Sequence, residues 1–230
     1  MAALDAEHPL DRAVWTALTT LQADMALGDD RARRLAPDYG LFAAAADRTA
    51  ESLAALAALV RRTGPAALFQ PDPPRELEGV RITPGDPIGQ MVAVSPPTVR
   101  VDFEVLRLGD ADAVEMLELA TLTKPGPFFS RTHQLGKFLG VREGGRLVAM
   151  CGERLRLPGH TELSAVCTHP DFLGRGYAAG LMSLVTERIV RRGETPFLHV
   201  YDHNTRAIAL YERLGWRRRR AVEVSFLEPA

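Results

Sequence analysis

Val166-Cys-Thr-His-Pro-Asp-Phe-Leu-Gly-Arg-Gly-Tyr-Ala-Ala179 runs from an apolar strand into a short loop, where Gly174-Arg175-Gly176 opens an amphipathic helix. Leu181, Val185 and Ile189 follow at i, i+4 and i+8, the apolar stripe of that helix. A helix start leaves backbone N–H groups without internal partners, and two glycines let an anion approach them closely. The positive end of the helix dipole suits a pyrophosphate. A phosphate-binding Gly-x-x-x-x-Gly-Lys-Ser/Thr loop is excluded, because neither Lys-Ser nor Lys-Thr follows the glycines. Gly174-Arg-Gly176-Tyr-Ala-Ala179 formally matches a dinucleotide fingerprint, with Asp202 at the end of the next strand. Against it, His169 to Leu173 is too long for the tight first turn. Too little chain also follows Asp202 to complete a doubly wound sheet.

Working outward, the pattern alternates strands and helices. Val101 to Leu108 is predicted as a strand. Asp110 caps a helix to about Thr121, with Val114, Leu117 and Leu119 inward. Phe138 to Arg142 and Arg146 to Leu155 flank Glu143-Gly144-Gly145, a hairpin signal. Glu162 to Thr168 is the strand before the glycines. Phe197 to Tyr201 is a strand, Asn204 to Leu214 a helix closed by Gly215, and Ala221 to Leu227 a last strand. Arg217 to Arg220 reads as a solvated edge. Upstream, Thr49 caps a helix to Arg62 that Gly64-Pro65 stops, and Ala66 to Phe69, Val80 to Ile82 and Met91 to Val94 are short strands. Ser95-Pro96-Pro97 ends a proline-rich stretch and places a boundary between an N-terminal α/β region, 1–97, and a second region, 98–230. The fold class is α/β (α+β), a mixed, mostly antiparallel sheet with flanking helices.

The chain is 46% apolar and 25% charged with a net charge of −1, which gives no general attraction to nucleic acid or an anionic membrane. No basic leader and no long apolar run are present, and the two cysteines, Cys151 and Cys167, lie in apolar runs. A cytoplasmic, reducing location is expected. The six histidines show no i, i+4 spacing with a nearby acid, so no metal site is expected.

Two motifs carry a resemblance. Leu173-Gly174-Arg175-Gly176-Tyr177-Ala178 resembles the Gln/Arg-x-x-Gly-x-Gly/Ala loop of the GCN5-related N-acetyltransferase superfamily, with Leu173 departing from it. Asn204-x-x-Ala207-x-x-x-Tyr211-x-x-x-Gly215-Trp216 resembles the second signature of that superfamily, and the two together point to its FR47-like branch. The resemblance covers roughly Val101 to Leu227. It implies acetyl-CoA as co-substrate, with pyrophosphate on the amides of Gly174, Arg175, Gly176, Tyr177, Ala178 and Ala179. The pantetheine arm would lie along Val166, Cys167 and Thr168, with Asn204 and Ala207 beside it. It implies Glu162 as general base, with Glu118 or Glu153 as substitutes, and Tyr211 as the acid protonating the leaving thiolate. The expected partner is an amine acceptor of a small molecule or protein, met by a monomer or homodimer. The alternatives are a non-catalytic acyl-CoA sensor and an acyltransferase using a longer acyl-CoA. Thr49 to Phe69 echoes the later helix–glycine–strand unit, so region 1–97 reads as a degenerate half of the same fold that helps form the acceptor pocket.

Overall fold

The computed structural model describes residues 8–95 and 99–230; the expected junction at 96–98 and the first seven residues lie outside the described residues. Helix α1 (Ala13–Thr19) is followed by a three-stranded antiparallel sheet of β1 (Ala26–Gly28), β2 (Ala32–Leu35) and β3 (Ala43–Ala45). Helix α2 (Ala50–Thr63) then leads to β4 (Ala66–Gln70), β5 (Val80–Pro84) and β6 (Ile88–Ala93). Beyond the junction come β7 (Leu106–Leu108), α3 (Ala113–Thr123), β8 (Phe138–Glu143), β9 (Arg146–Leu157) and β10 (His160–Thr168). The chain ends with α4 (Tyr177–Arg191), β11 (Thr195–Tyr201), α5 (Thr205–Arg213) and β12 (Trp216–Pro229).

Nine strands form the main sheet in the order β4-β12-β6-β11-β10-β9-β8-β7, with β5 also paired to β12. Only β10 and β11 run parallel within it, and their ladder holds for three residues, from His160↔Thr195 to Glu162↔Phe197. Past Glu162 the two strands part, and that fork positions the site. Strands from before the junction sit inside the sheet, since β6 lies between β11 and β12. The expected division at 97 and 98 thus falls within a shared sheet.

Side chains alternate across a strand, so Phe197 and Leu198 on β11 serve opposite faces. Leu198 meets the α4 stripe of Leu181, Val185 and Ile189, while Phe197 meets Val14, Ala17 and Leu18 of the N-terminal region and α1. The N-terminal hundred residues therefore cover the face opposite α4.

Two expectations need correction. Val101 to Val105 is not a strand; Phe103 instead packs over Tyr177 at a ring separation of 4.9 Å. Gly180 makes the room, since a Cβ there would lie 2.6 Å from the Phe103 ring. In α3 the inward residues are Met116, Leu119 and Ala120, whereas Val114 is 70% exposed. The arginines of β12 pair with β6 on one side only, since β4 and β5 join β12 from Glu223 and Ser225 onward, so Arg217 to Arg220 lie on an edge, with Arg217 and Arg218 exposed. Arg218 forks onto Asp202, and Arg219 and Arg220 both reach Asp11 at 2.7 and 2.6 Å.

Candidate active site

The fork between β10 and β11 opens into a cavity of about 770 Å³ that runs to the start of α4. Its walls include Leu163 to Thr168 of β10, Phe172 to Ala179, Leu198 to Tyr201 of β11, and Asn204, Ala207 and Tyr211 of α5. The sequence motifs, far apart in the chain, line one continuous space.

Gly174 and Gly176 adopt φ of 80° and 81°, and Gly176 is the N-cap of α4. A Cβ at either position would touch nothing, so the glycines are required by backbone conformation, and the space above them is open. The N–H groups of Tyr177, Ala178 and Ala179 fall in the first turn and have no intrahelical acceptor. This cradle fits a pyrophosphate. The Tyr177 side chain is committed elsewhere, its hydroxyl bonded to Glu143 and its ring to Phe103, so only its amide serves the cradle. The Arg175 guanidinium lies over the Phe172 ring at 4.7 Å. Leu173, at the position where the family motif departs, is half exposed on the cavity wall.

Strand β10 is irregular at the cavity. Its register on β9 shifts between Ser164 and Cys167, and Ala165 takes φ of 52°. A left-handed alanine costs roughly 1–2 kcal/mol, and a bulge of this kind frees backbone groups from the ladder. Cys167 and Thr168 rejoin the β9 ladder, and because β11 has parted from β10 past Glu162, Val166 to Thr168 line the cavity with no strand paired on their other side. The Cys167 thiol is pushed up to about 12 by burial, which leaves it a poor nucleophile. Cys151 is also buried, and both thiols are free.

The Asn204 side-chain oxygen caps α5 by accepting from the Ala207 N–H at 3.2 Å, which leaves its amide nitrogen for the cavity. Tyr211 lies two turns on, 9% exposed, with its hydroxyl free of partners among the described residues. Burial raises its pKa, so the phenol stays a neutral donor.

Glu162 occupies the base of the fork with 0% exposure and is not part of the cavity wall. Both its oxygens are held by Arg154, at 2.7 and 2.8 Å, and Oε1 also meets His199 Nδ1 at 2.7 Å. Burial pushes this carboxyl up, but Arg154 and His199 outweigh it and hold it at about 2. A carboxylate that weakly basic, sealed from the cavity, is badly placed to take a proton from substrate directly. Neither substitute serves: Glu153 is buried against Arg188 and Arg192, and Glu118 is exposed away from the cavity.

The pair belongs to a row that crosses five neighbouring strands. Arg219 of β12 donates to Gln90 Oε1 of β6 at 2.8 Å, and Gln90 Nε2 donates to the Leu10 carbonyl at 2.9 Å. This orients the amide so that its N–H₂ faces His199 Nε2 of β11 at 3.2 Å. His199 therefore accepts at Nε2 and donates at Nδ1 to Glu162 of β10, which in turn holds Arg154 of β9. His199 and Arg154 line the cavity; Glu162 between them does not. Phe69 and Ile88, from the N-terminal region, complete this wall, with Phe69 edge-on to His199 at 5.8 Å. Arg154, His199, Phe69 and Ile88 escaped the sequence reading. The available signal was Glu153-Arg154, two adjacent charges that follow the apolar run Leu147 to Cys151 in one strand. Phe128, by contrast, packs on Phe138 and staples its loop.

Residues 138–225 match the FR47-like protein family. No curated protein matches the chain. Among solved structures, a GNAT-family protein from Novosphingobium aromaticivorans is 42% identical over 97% of this chain and 100% of its own, with a TM-score of 0.90. A GCN5-related N-acetyltransferase from Kribbella flavida shares the fold at 18% identity, over 96% of this chain and 97% of its own, with a TM-score of 0.60. A tandem GNAT protein from the clavulanic acid biosynthesis pathway does so at 13% identity, over 86% and 78%, with a TM-score of 0.56. Full-length identity of 42%, on a sheet forked over a glycine-opened helix, makes this chain a member of the GCN5-related N-acetyltransferase family.

Proposed function

We propose that the chain moves an acetyl group from acetyl-CoA to a primary amine of a small molecule or protein, directly within a ternary complex. One observation carries the reading. A single cavity joins the α4 amide cradle, the bulged β10 backbone, the Tyr211 hydroxyl and the β10–β11 fork. The thioester supplies an activated acyl carbon, and the chain's own groups do the rest. The amides of Gly174 to Ala179 hold the pyrophosphate against the helix dipole. The Asn204 amide and the Val166 to Thr168 backbone align the pantetheine arm. A freed β10 N–H faces the charge that develops on the carbonyl oxygen. Tyr211 donates its proton to the departing thiolate.

An alkyl ammonium at pH 7 must first lose a proton, at about 5 kcal/mol. Glu162 meets this need through His199. It accepts the Nδ1–H, which fixes the tautomer and leaves Nε2 as the basic nitrogen, bonded to Gln90 until the acceptor displaces it. Glu162 is then a positioning residue and His199 the proton acceptor. The N-terminal hundred residues supply part of the acceptor wall through Phe69 and Ile88, and the free thiols suit a reducing cytoplasm. Substitution His199→Gln keeps a polar group in the row but no basic nitrogen. It is expected to lower kcat by roughly 100-fold while coenzyme A affinity, read by titration, stays within twofold. An unchanged kcat would remove His199 from the mechanism.

A further inference from the structure

The cavity wall carries Lys124, Arg154, Arg175, Arg206 and Arg213 and, among the described residues, no aspartate or glutamate. Arg175 stands at the glycine loop and Arg206 and Arg213 on α5, the coenzyme end, where phosphate charge accounts for them. Lys124 and Arg154 stand at the other end, beyond the fork. Arg154 is nine-tenths buried, and its Nε and Nη2 are used on Glu162. Its third nitrogen, Nη1, has no partner among the described residues. It lies beside Gly126, itself on the wall, 3.9 Å from where a Cβ of that residue would be. Phe42 stacks under the guanidinium at 4.6 Å and keeps it in place. The guanidinium is held on its inner side by Glu162, and this nitrogen opens to the cavity with two N–H donors that no group among the described residues accepts.

Resting on the acyltransferase reading, the geometry points to an acceptor that carries an anionic oxygen group next to its amine. We infer a small amino acid whose carboxylate is bound by Arg154 Nη1, with Lys124 at the rim. The same features argue against di- and polyamines, because a second ammonium would find no carboxylate on this wall. A charge-assisted hydrogen bond from Arg154 to the carboxylate of the acceptor fixes its orientation.

The test is acetyl-CoA-dependent thiol release at pH 8, measured on the full chain with the common amino acids, their carboxamides and 1,4-diaminobutane. A preferred amino acid is expected to exceed its own carboxamide in kcat/KM by at least roughly tenfold, the lower end for a hydrogen bond to a charged group. In parallel, its N-acetyl derivative raises the unfolding midpoint in the presence of coenzyme A, and the N-acetyl carboxamide does not. Substitution Arg154→Lys keeps the charge and removes the fork; it should bring the acid-to-amide ratio toward one. Because Arg154 also holds Glu162, the ratio in the unmodified chain is decisive if that variant folds poorly. Turnover of the carboxamides or the diamine as fast as the acids overturns the inference and leaves the acyltransferase reading standing. No thiol release with any amine overturns the reading itself.

Discussion

Replacing Glu162 by glutamine perturbs the row at its centre. The carboxylate now accepts from Arg154 with both oxygens and from His199 with one. Glutamine offers one carbonyl oxygen, and its N–H₂ must face either Arg154, donor against donor, or His199 Nδ1. In the second arrangement Nδ1 must give up its proton, which moves to Nε2 and collides with the Gln90 amide. The size follows from the carboxyl itself, at an ordinary 4.5 when exposed and about 2 in the fold. That gap corresponds to roughly 3 kcal/mol, similar to the 3–5 kcal/mol for breaking a buried ion pair by removing one partner. In a chain of 230 residues this lowers the unfolding midpoint by about 10 °C at pH 7. The sign with pH is fixed: a carboxyl depressed in the fold stabilises above 4.5, and that contribution fades as pH falls through about 2. Chemical denaturation from pH 7 to pH 2 should therefore show the parent losing its advantage over Glu162→Gln at the acid end. A variant that unfolds within 1 °C of the parent at pH 7, with a parallel pH profile, would refute the account of the row.

Three further outcomes are expected. Tyr211→Phe removes a neutral phenol from the cavity and should lower kcat by roughly 100-fold, with coenzyme A affinity unchanged by titration; a twofold effect would end its role as acid. Gly176→Ala meets no steric neighbour, so its cost should be the roughly 1–2 kcal/mol of left-handed backbone, read from the unfolding midpoint, with coenzyme A binding weakened. Phe69→Ala removes part of the N-terminal wall beside His199; steady-state kinetics should show acceptor KM rising severalfold with the KM for acetyl-CoA unchanged.

What the sequence disclosed is what short-range chemistry encodes. The Gly174 and Gly176 turn, the α4 stripe and the Asn204 cap each depend on residues a few positions apart, and each lies where the sequence places it. Glu162 was found, but its surroundings were not, because Gln90 and His199 meet across 109 positions and only the sheet order brings them together. The insertion of β6 between β11 and β12 has no local signal: Ile88 to Ala93 reads as any apolar strand. Val101 to Val105 alternates like a strand and is not one, since a gap over Gly180 takes Phe103. The bulge at Ala165 was equally hidden, for alanine is an ordinary strand residue and nothing in its neighbours announces positive φ.

The most direct test follows acetyl-CoA consumption and N-acetyl product together in one reaction containing the full chain and a broad set of primary amines. The account predicts amine-dependent thiol release matched one for one by N-acetylated product, and abolished when the amine is omitted. Tight coenzyme A binding without amine-dependent release would contradict it and make the cavity a sensing site.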